Sequence, residues 1–183
     1  LLKYSNYQEY LKIWIDILTP KQLLFSEPII ERLEEKHEIL CTSREYHEVS
    51  KLAKIRHFDL IFVGKHGGGD KKSKLKASIE RMGKLSKKIK RFEPDLVISF
   101  GSPEAARISF GLGIKHIMFC DSPHANAVMK LTLPLIQKLL IPYVIPKKEF
   151  SKYGIHEKNI VQYKAIDAAV TMKRKIREDL NSP

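Results

Sequence analysis

Cysteine is nearly missing from this chain: Cys41 and Cys120 are the two in 183 residues. That excludes a disulfide scaffold and suits a reducing compartment, so a cytoplasmic protein is expected. Long apolar runs are missing as well. None reaches the roughly 18 residues of a membrane span, and the richest stretch, residues 131–145, is broken by Pro134, Gln137, Lys138 and Pro142. The first ten residues are polar and aromatic, unlike a secretory leader. Because the chain opens on Leu1, its true start is expected upstream.

Several chemical signatures are absent too. No G-x-G-x-x-G follows the first apolar run and no G-x-x-x-x-G-K-[ST] occurs, which argues against classical dinucleotide and P-loop sites. The seven histidines and two cysteines show no C-x-x-C or H-E-x-x-H spacing, so no metal is expected. Without a G-x-S-x-G elbow a hydrolase triad has no support. There is no internal repeat and no low-complexity linker.

What is present is positive charge and a buriable core. The chain is 43% hydrophobic and 30% charged, enough for a folded domain, and 33 basic against 21 acidic residues give +12. The excess is local. Residues 1–64 carry nine basic and ten acidic groups, residues 65–91 eleven and two, and residues 92–183 thirteen and nine. Within the basic stretch Leu75, Ile79, Met82, Leu85, Ile89 and Phe92 recur at helical spacing. This stripe is expected to pack on a sheet with the lysines outward. Residues 71–91, opening on Lys71 and closing on Arg91, also offer a basic amphipathic surface to an anionic membrane, and so a place at the membrane periphery. Nucleic acid is disfavoured, because no aromatics interleave with the lysines and no recognition-helix or RNP-type motif appears.

Strand and helix signals alternate along the chain. Strands are expected at residues 12–17, 38–42, 59–63, 95–100, 115–120, 142–145 and 159–163. Helices are expected at 22–36, where Pro28 implies a late start or a kink, at 44–56 with Ser43 as N-cap, through the basic stretch, at 103–112 and around 125–140. A turn at 147–153 ends at Gly154, and the charged tail is a further helical candidate. The third to fifth strands are continuous apolar runs, the mark of a parallel sheet covered on both faces. The expected fold is therefore α/β: a doubly wound, mainly parallel, Rossmann-like sheet with right-handed crossovers.

The polar and glycine-rich segments follow the strands, at the edge where open parallel sheets bind ligands. Asp16 and Thr19-Pro20-Lys21-Gln22 follow the first strand, and His66-Gly67-Gly68-Gly69 the third. Gly101-Ser102-Pro103-Glu104 follows the fourth and Asp121-Ser122-Pro123-His124 the fifth. The glycines after His66 either make a flexible turn or allow close backbone approach to a sugar or phosphate. Ser102 and Pro103 start a helix, whose free N–H groups are also an anion site. Asp16 either lines a cleft or caps a loop. Asp121 and His124, three apart, could face one cavity as acceptor and base, or form only an Asx-type turn and an incidental histidine. Cys120 reads as an inert buried thiol.

Together, WIDILTPKQ (residues 14–22), GKHGG (64–68), PDLVISFGSPEAAR (94–107), DSPHANAV (121–128) and LTLPL (131–135) resemble an archaeal and bacterial family of uncharacterised proteins. That family has a glycosyltransferase-B-like fold, related to UDP-N-acetylglucosamine 2-epimerases. The resemblance implies two facing Rossmann-like domains, the first for an acceptor and the second for a sugar nucleotide. It fades at residues 163–167. The expected organisation is an N-terminal extension (1–11), an acceptor-side domain (12–166) and a charged tail or truncated linker (167–183), with the sugar-nucleotide domain beyond the chain. No bound cofactor is expected, a sugar nucleotide being the co-substrate held by that other domain. The chain then works with a separate C-terminal-domain chain or as a homo-oligomer. Asp16, Thr19, Lys21, His66, Gly67, Gly68, Gly101 and Ser102 would line the substrate cleft, and Asp121 or His124, then Glu104, would be the general base. An epimerase-like enzyme and a non-enzymatic basic module for membrane or nucleic acid are the alternatives.

Overall fold

A computed structural model describes residues 10–165. The expected extension, apart from residues 10 and 11, and the charged tail fall outside the described residues. Seven strands form one sheet: β1 (Lys12–Asp16), β2 (Glu38–Glu45), β3 (Ile61–Lys65), β4 (Leu96–Ser99), β5 (Lys115–Phe119), β6 (Lys138–Pro142) and β7 (Ile160–Tyr163). Their order is β3-β2-β1-β4-β5-β6-β7, and each neighbouring pair is parallel. Helices α1 (Pro20–Glu34), α2 (His47–Ile55), α3 (Lys71–Phe92), α4 (Pro103–Leu112), α5 (Asn126–Thr132) and the short α6 (Lys148–Ser151) supply the crossovers. The sheet is Rossmann-like, as expected, and its order reverses between β1 and β4.

The two faces follow from alternation along β1. Ile13 and Ile15 join Leu23, Ile30, Val49 and Ala53 beneath α1 and α2. Trp14 points the other way, with Val97, Leu85, Ile89 and Ala105 beneath α3 and α4. A third cluster of Met118, Leu139, Ile141, Met129 and Phe150 closes the β5–β7 end. Full burial of each large apolar side chain contributes about 1.5–3 kcal/mol, so β1 is held from both sides.

Some local expectations are corrected. α1 starts at Pro20, not residue 22: Thr19 caps it by accepting from the Gln22 N–H at 3.3 Å, and Pro28 lies inside the helix. Ser43 is not an N-cap but a buried residue of β2, which runs on to pair Glu45 with Lys65. The sixth strand is at Lys138–Pro142, earlier than expected. There Pro134 falls in a 3-10 turn that ends the preceding helix early, which frees Leu139 and Ile141 for the sheet. On α3 the buried line is Arg81, Leu85 and Ile89, while Leu75 and Ile79 are 63% and 56% exposed. β3 stops at Lys65, and the loop residue Gly67 lies against Lys74 and Ala77, so the first turns of α3 run past the sheet. Among the described residues no helix is long and apolar enough to cross a membrane.

Candidate functional site

The carboxyl end of the sheet is built in two tiers. The lower tier is a buried polar network centred on Asp16, the last residue of β1. Its carboxylate accepts from Arg81 Nη1 (3.1 Å) and Nη2 (2.6 Å), Thr42 Oγ1 (2.7 Å) and Ser102 Oγ (2.6 Å). Thr42 Oγ1 accepts in turn from Trp14 Nε1 at 2.7 Å, and Arg81 Nε donates to the Val63 carbonyl at 3.0 Å. Arg81 Nη1 also lies 3.6 Å from Glu104 Oε2. One carboxylate thereby ties β1, β2, α3 and the start of α4 together. Burial pushes the Asp16 carboxyl up, but the Arg81 charge and the hydrogen bonds from Arg81, Ser102 and Thr42 more than reverse it, leaving it below the usual range. Burial likewise depresses Arg81, and the charges of Asp16 and Glu104 raise it above its ordinary value. Both groups stay ionised. A buried pair of this kind is costly to break, about 3–5 kcal/mol for removing one partner.

This tier corrects two expected cleft residues and one candidate base. Asp16 is 1% exposed with its oxygens taken, so it is a foundation and not a wall. Ser102 does cap α4, accepting from the Ala105 N–H at 3.1 Å, but its hydroxyl is buried and committed to Asp16. Glu104 is buried beside Arg81 in the first turn of α4 and does not line the cavity above, and a carboxylate there weighs against an anion at that helix end.

The upper tier is open. A cavity of about 260 Å³ lies over the ends of β1, β4 and β5, lined by Thr19, Lys21, Gln22, Gly101, Asp121 and Ser122, with Phe100, Cys120, Val128 and Met129 as its apolar side. Gln22 braces it: its Oε1 accepts from the Leu18 N–H at 2.7 Å and its Nε2 donates to the Phe100 carbonyl at 2.8 Å. Phe25 of α1 supports this floor, edge-on to Phe100 and Phe119. Gly101 turns the chain at φ +70°, a conformation that disfavours side chains. Across the cavity the Lys21 ammonium pairs with the Asp121 carboxylate, and it also sits 5.2 Å from the Phe100 ring centre. Ser122 Oγ donates to Asp121 Oδ1 at 2.9 Å. Cys120 is buried at the base, its sulfur accepting from the Ser122 N–H at 3.4 Å.

The other expected residues are not brought to this cavity. His124 is exposed on the β5–α5 loop, which Tyr153 pins by donating to the Pro123 carbonyl at 3.2 Å. His66 follows β3, on the far side of β2. It stacks on Tyr46 with 5.1 Å between ring centres, and its Nδ1 accepts from the Gly68 N–H at 3.2 Å. Burial and then the charges of Arg44 and Lys74 hold the imidazole below its ordinary pKa. Gly67 serves packing: a Cβ there would meet Lys74 Cα at 2.6 Å. Gly68 makes its turn at φ +73° in open space. Among the described residues no three His, Cys, Asp or Glu side chains converge as a metal site.

Sequence reasoning missed Arg81 and Arg44, and placed Gln22 in the segment after the first strand without giving it a role. Arg81 had a signal, an arginine four residues before Leu85 on the buried line of α3. Arg44 sits at the irregularity in β2–β3 pairing and carries a buried Nε without a hydrogen-bond partner, which no pattern announced.

Comparison with known proteins places this architecture. A family model described as a protein of unknown function, DUF354, matches residues 11–181. An uncharacterised protein of Methanocaldococcus jannaschii is 32% identical over 145 residues, which are 79% of this chain and 42% of that protein. Among solved structures, the UDP-GlcNAc 2-epimerase of the same organism aligns with a TM-score of 0.64 at 19% identity, over 82% of this chain and 45% of the other. A Streptomyces sp. SF2575 glycosyltransferase aligns with a TM-score of 0.58 at 12% identity, over 72% and 50%. The chain thus spans about half the length of each relative, and its fold is one domain of the glycosyltransferase-B type.

Proposed function

This chain belongs to the DUF354 family of proteins of unknown function, and on that premise we propose that it is the acceptor-side half of a glycosyltransferase-B-like enzyme. The crevice takes a sugar or lipid-linked acceptor. A second domain, supplied by a separate chain, by a further part of the same protein or within a homo-oligomer, holds the sugar nucleotide against it. The observation that carries this reading is the Lys21–Asp121 pair across a cavity at the reversal of strand order, the place where open parallel sheets hold ligands.

Asp121 is the general base. It takes the acceptor hydroxyl proton as that oxygen attacks the anomeric carbon and the sugar–phosphate bond breaks, releasing the nucleoside diphosphate. With Asp121 neutralised by that proton, the Lys21 ammonium offsets the leaving group's negative charge. His124 and Glu104 are set aside as bases, the first by its place outside the cavity and the second by its burial beside Arg81. In transfer assays with a sugar-nucleotide-binding half supplied, Asp121→Asn should lower kcat about a hundredfold or more, and His124→Ala should leave it nearly unchanged. Full activity in both variants would remove the base assignment.

The likeness to UDP-GlcNAc 2-epimerases favours a second reading, in which the same crevice serves an epimerase-like reaction on a sugar nucleotide. Nucleotide turnover that needs no acceptor would support it over transfer.

A further inference from the structure

α3 carries ten Lys or Arg among its residues and one acid, Glu80. Arg81 is committed to Asp16; the other nine reach solvent, and among the described residues none of them pairs with a carboxylate. Lys84, Lys87, Lys88 and Arg91 line a groove of about 460 Å³ floored by Leu40 and Phe92. Toward the other end of the same helix Leu75 and Ile79 stand 63% and 56% exposed among Lys71, Lys72, Lys74 and Lys76.

We propose that α3 is a docking helix for an anionic phospholipid surface, with its lysines on headgroup phosphates and Leu75 and Ile79 entering the headgroup layer. The charge runs along about 33 Å of helix, which matches an extended sheet of phosphates better than a short acidic peptide. Two of the exposed side chains between the lysines, Leu75 and Ile79, are aliphatic, which suits hydrocarbon. Stacking bases requires exposed aromatic faces, and the sole aromatic of α3, Phe92, lies half-buried in the groove floor with the Lys12 ammonium 5.6 Å from its ring centre. This surface lies on the α3 side of the sheet and does not depend on the chemistry assigned to the crevice.

The test is flotation with vesicles of phosphatidylcholine alone and of equal parts phosphatidylcholine and phosphatidylglycerol. The chain should float with the mixed vesicles only, and added salt should release it. Lys84→Glu/Lys87→Glu/Lys88→Glu should weaken partitioning at least about a hundredfold. Lys51→Glu/Lys54→Glu/Lys158→Glu, the same change in net charge on exposed residues elsewhere, should weaken it far less. Leu75→Ser/Ile79→Ser should reduce binding while keeping its salt dependence. All substituted residues of the two charge-reversal sets are surface positions, and matching circular dichroism melts would verify folding. Absence of flotation, equal losses in both charge-reversal sets, or tighter binding of a duplex oligonucleotide than of the mixed vesicles would each overturn the proposal.

Discussion

His116 of β5 has both ring nitrogens engaged by serine hydroxyls, Nε2 with Ser99 Oγ at 2.8 Å and Nδ1 with Ser109 Oγ at 3.0 Å. A neutral imidazole donates at one nitrogen and accepts at the other, and hydroxyls can complement either role. A second proton would gain nothing there and would lose its hydration, so burial pulls the pKa down to about 4 from 6.5. The unfolded chain binds this proton below pH 6.5 and the folded chain does not until about pH 4, so stability falls as pH falls through that window. The contribution at stake is about 3 kcal/mol. Urea unfolding from pH 7 to pH 4 should show a steeper loss for the native chain than for His116→Asn; equal slopes would disprove the assignment. A histidine inside a strand run such as KHIMF carries no signal of this role, because its partners come from β4 and α4.

At the scale of elements, β1, β3, β4 and β5 were legible because buried parallel strands must be continuous apolar runs. Their limits were less so. The run at residues 131–145 holds a helix, a 3-10 turn and a strand, and apolarity alone does not divide them. Packing between elements was also hidden. Gly67 reads as a loop residue suited to a ligand, whereas it lets β3's exit loop lie directly on α3. In Gly67→Ala the new Cβ would sit 2.6 Å from Lys74 Cα and 2.8 Å from the Ser73 carbonyl oxygen, both backbone atoms that yield only if the helix shifts. A loss of about 1–3 kcal/mol in thermal or urea unfolding is expected. Gly69→Ala, with open space around its Cβ, serves as the comparison. A Gly67→Ala chain as stable as the native one would show that the loop adapts.

For the whole molecule, the strand-end loops pointed to the edge of the sheet where the cavity lies, since the α/β pattern alone puts them there. What the pattern did not reveal was depth. Thr19, Lys21, Gly101 and Asp121 reach the cavity, while Asp16, Ser102 and Glu104 lie below it around an arginine that arrives from 65 residues farther along. Because one sheet joins all three core clusters, the described domain should unfold as a unit. Trp14, the single tryptophan and fully buried in the central strand, should report the same urea midpoint by fluorescence as circular dichroism reports for the helices. Separated midpoints would mean that the two halves of the sheet are independent. The strand order also sets a timetable. Of the seven described strands β1 is synthesised first, yet one of its two neighbours is β4: the Lys12 N–H bonds to Asp95, 83 residues later. With every pairing parallel, no hairpin can nucleate the sheet, and closure must wait for distant segments to meet. During synthesis on the ribosome, one edge of the future centre of the sheet therefore stays unpaired until α3 has been made and β4 has emerged.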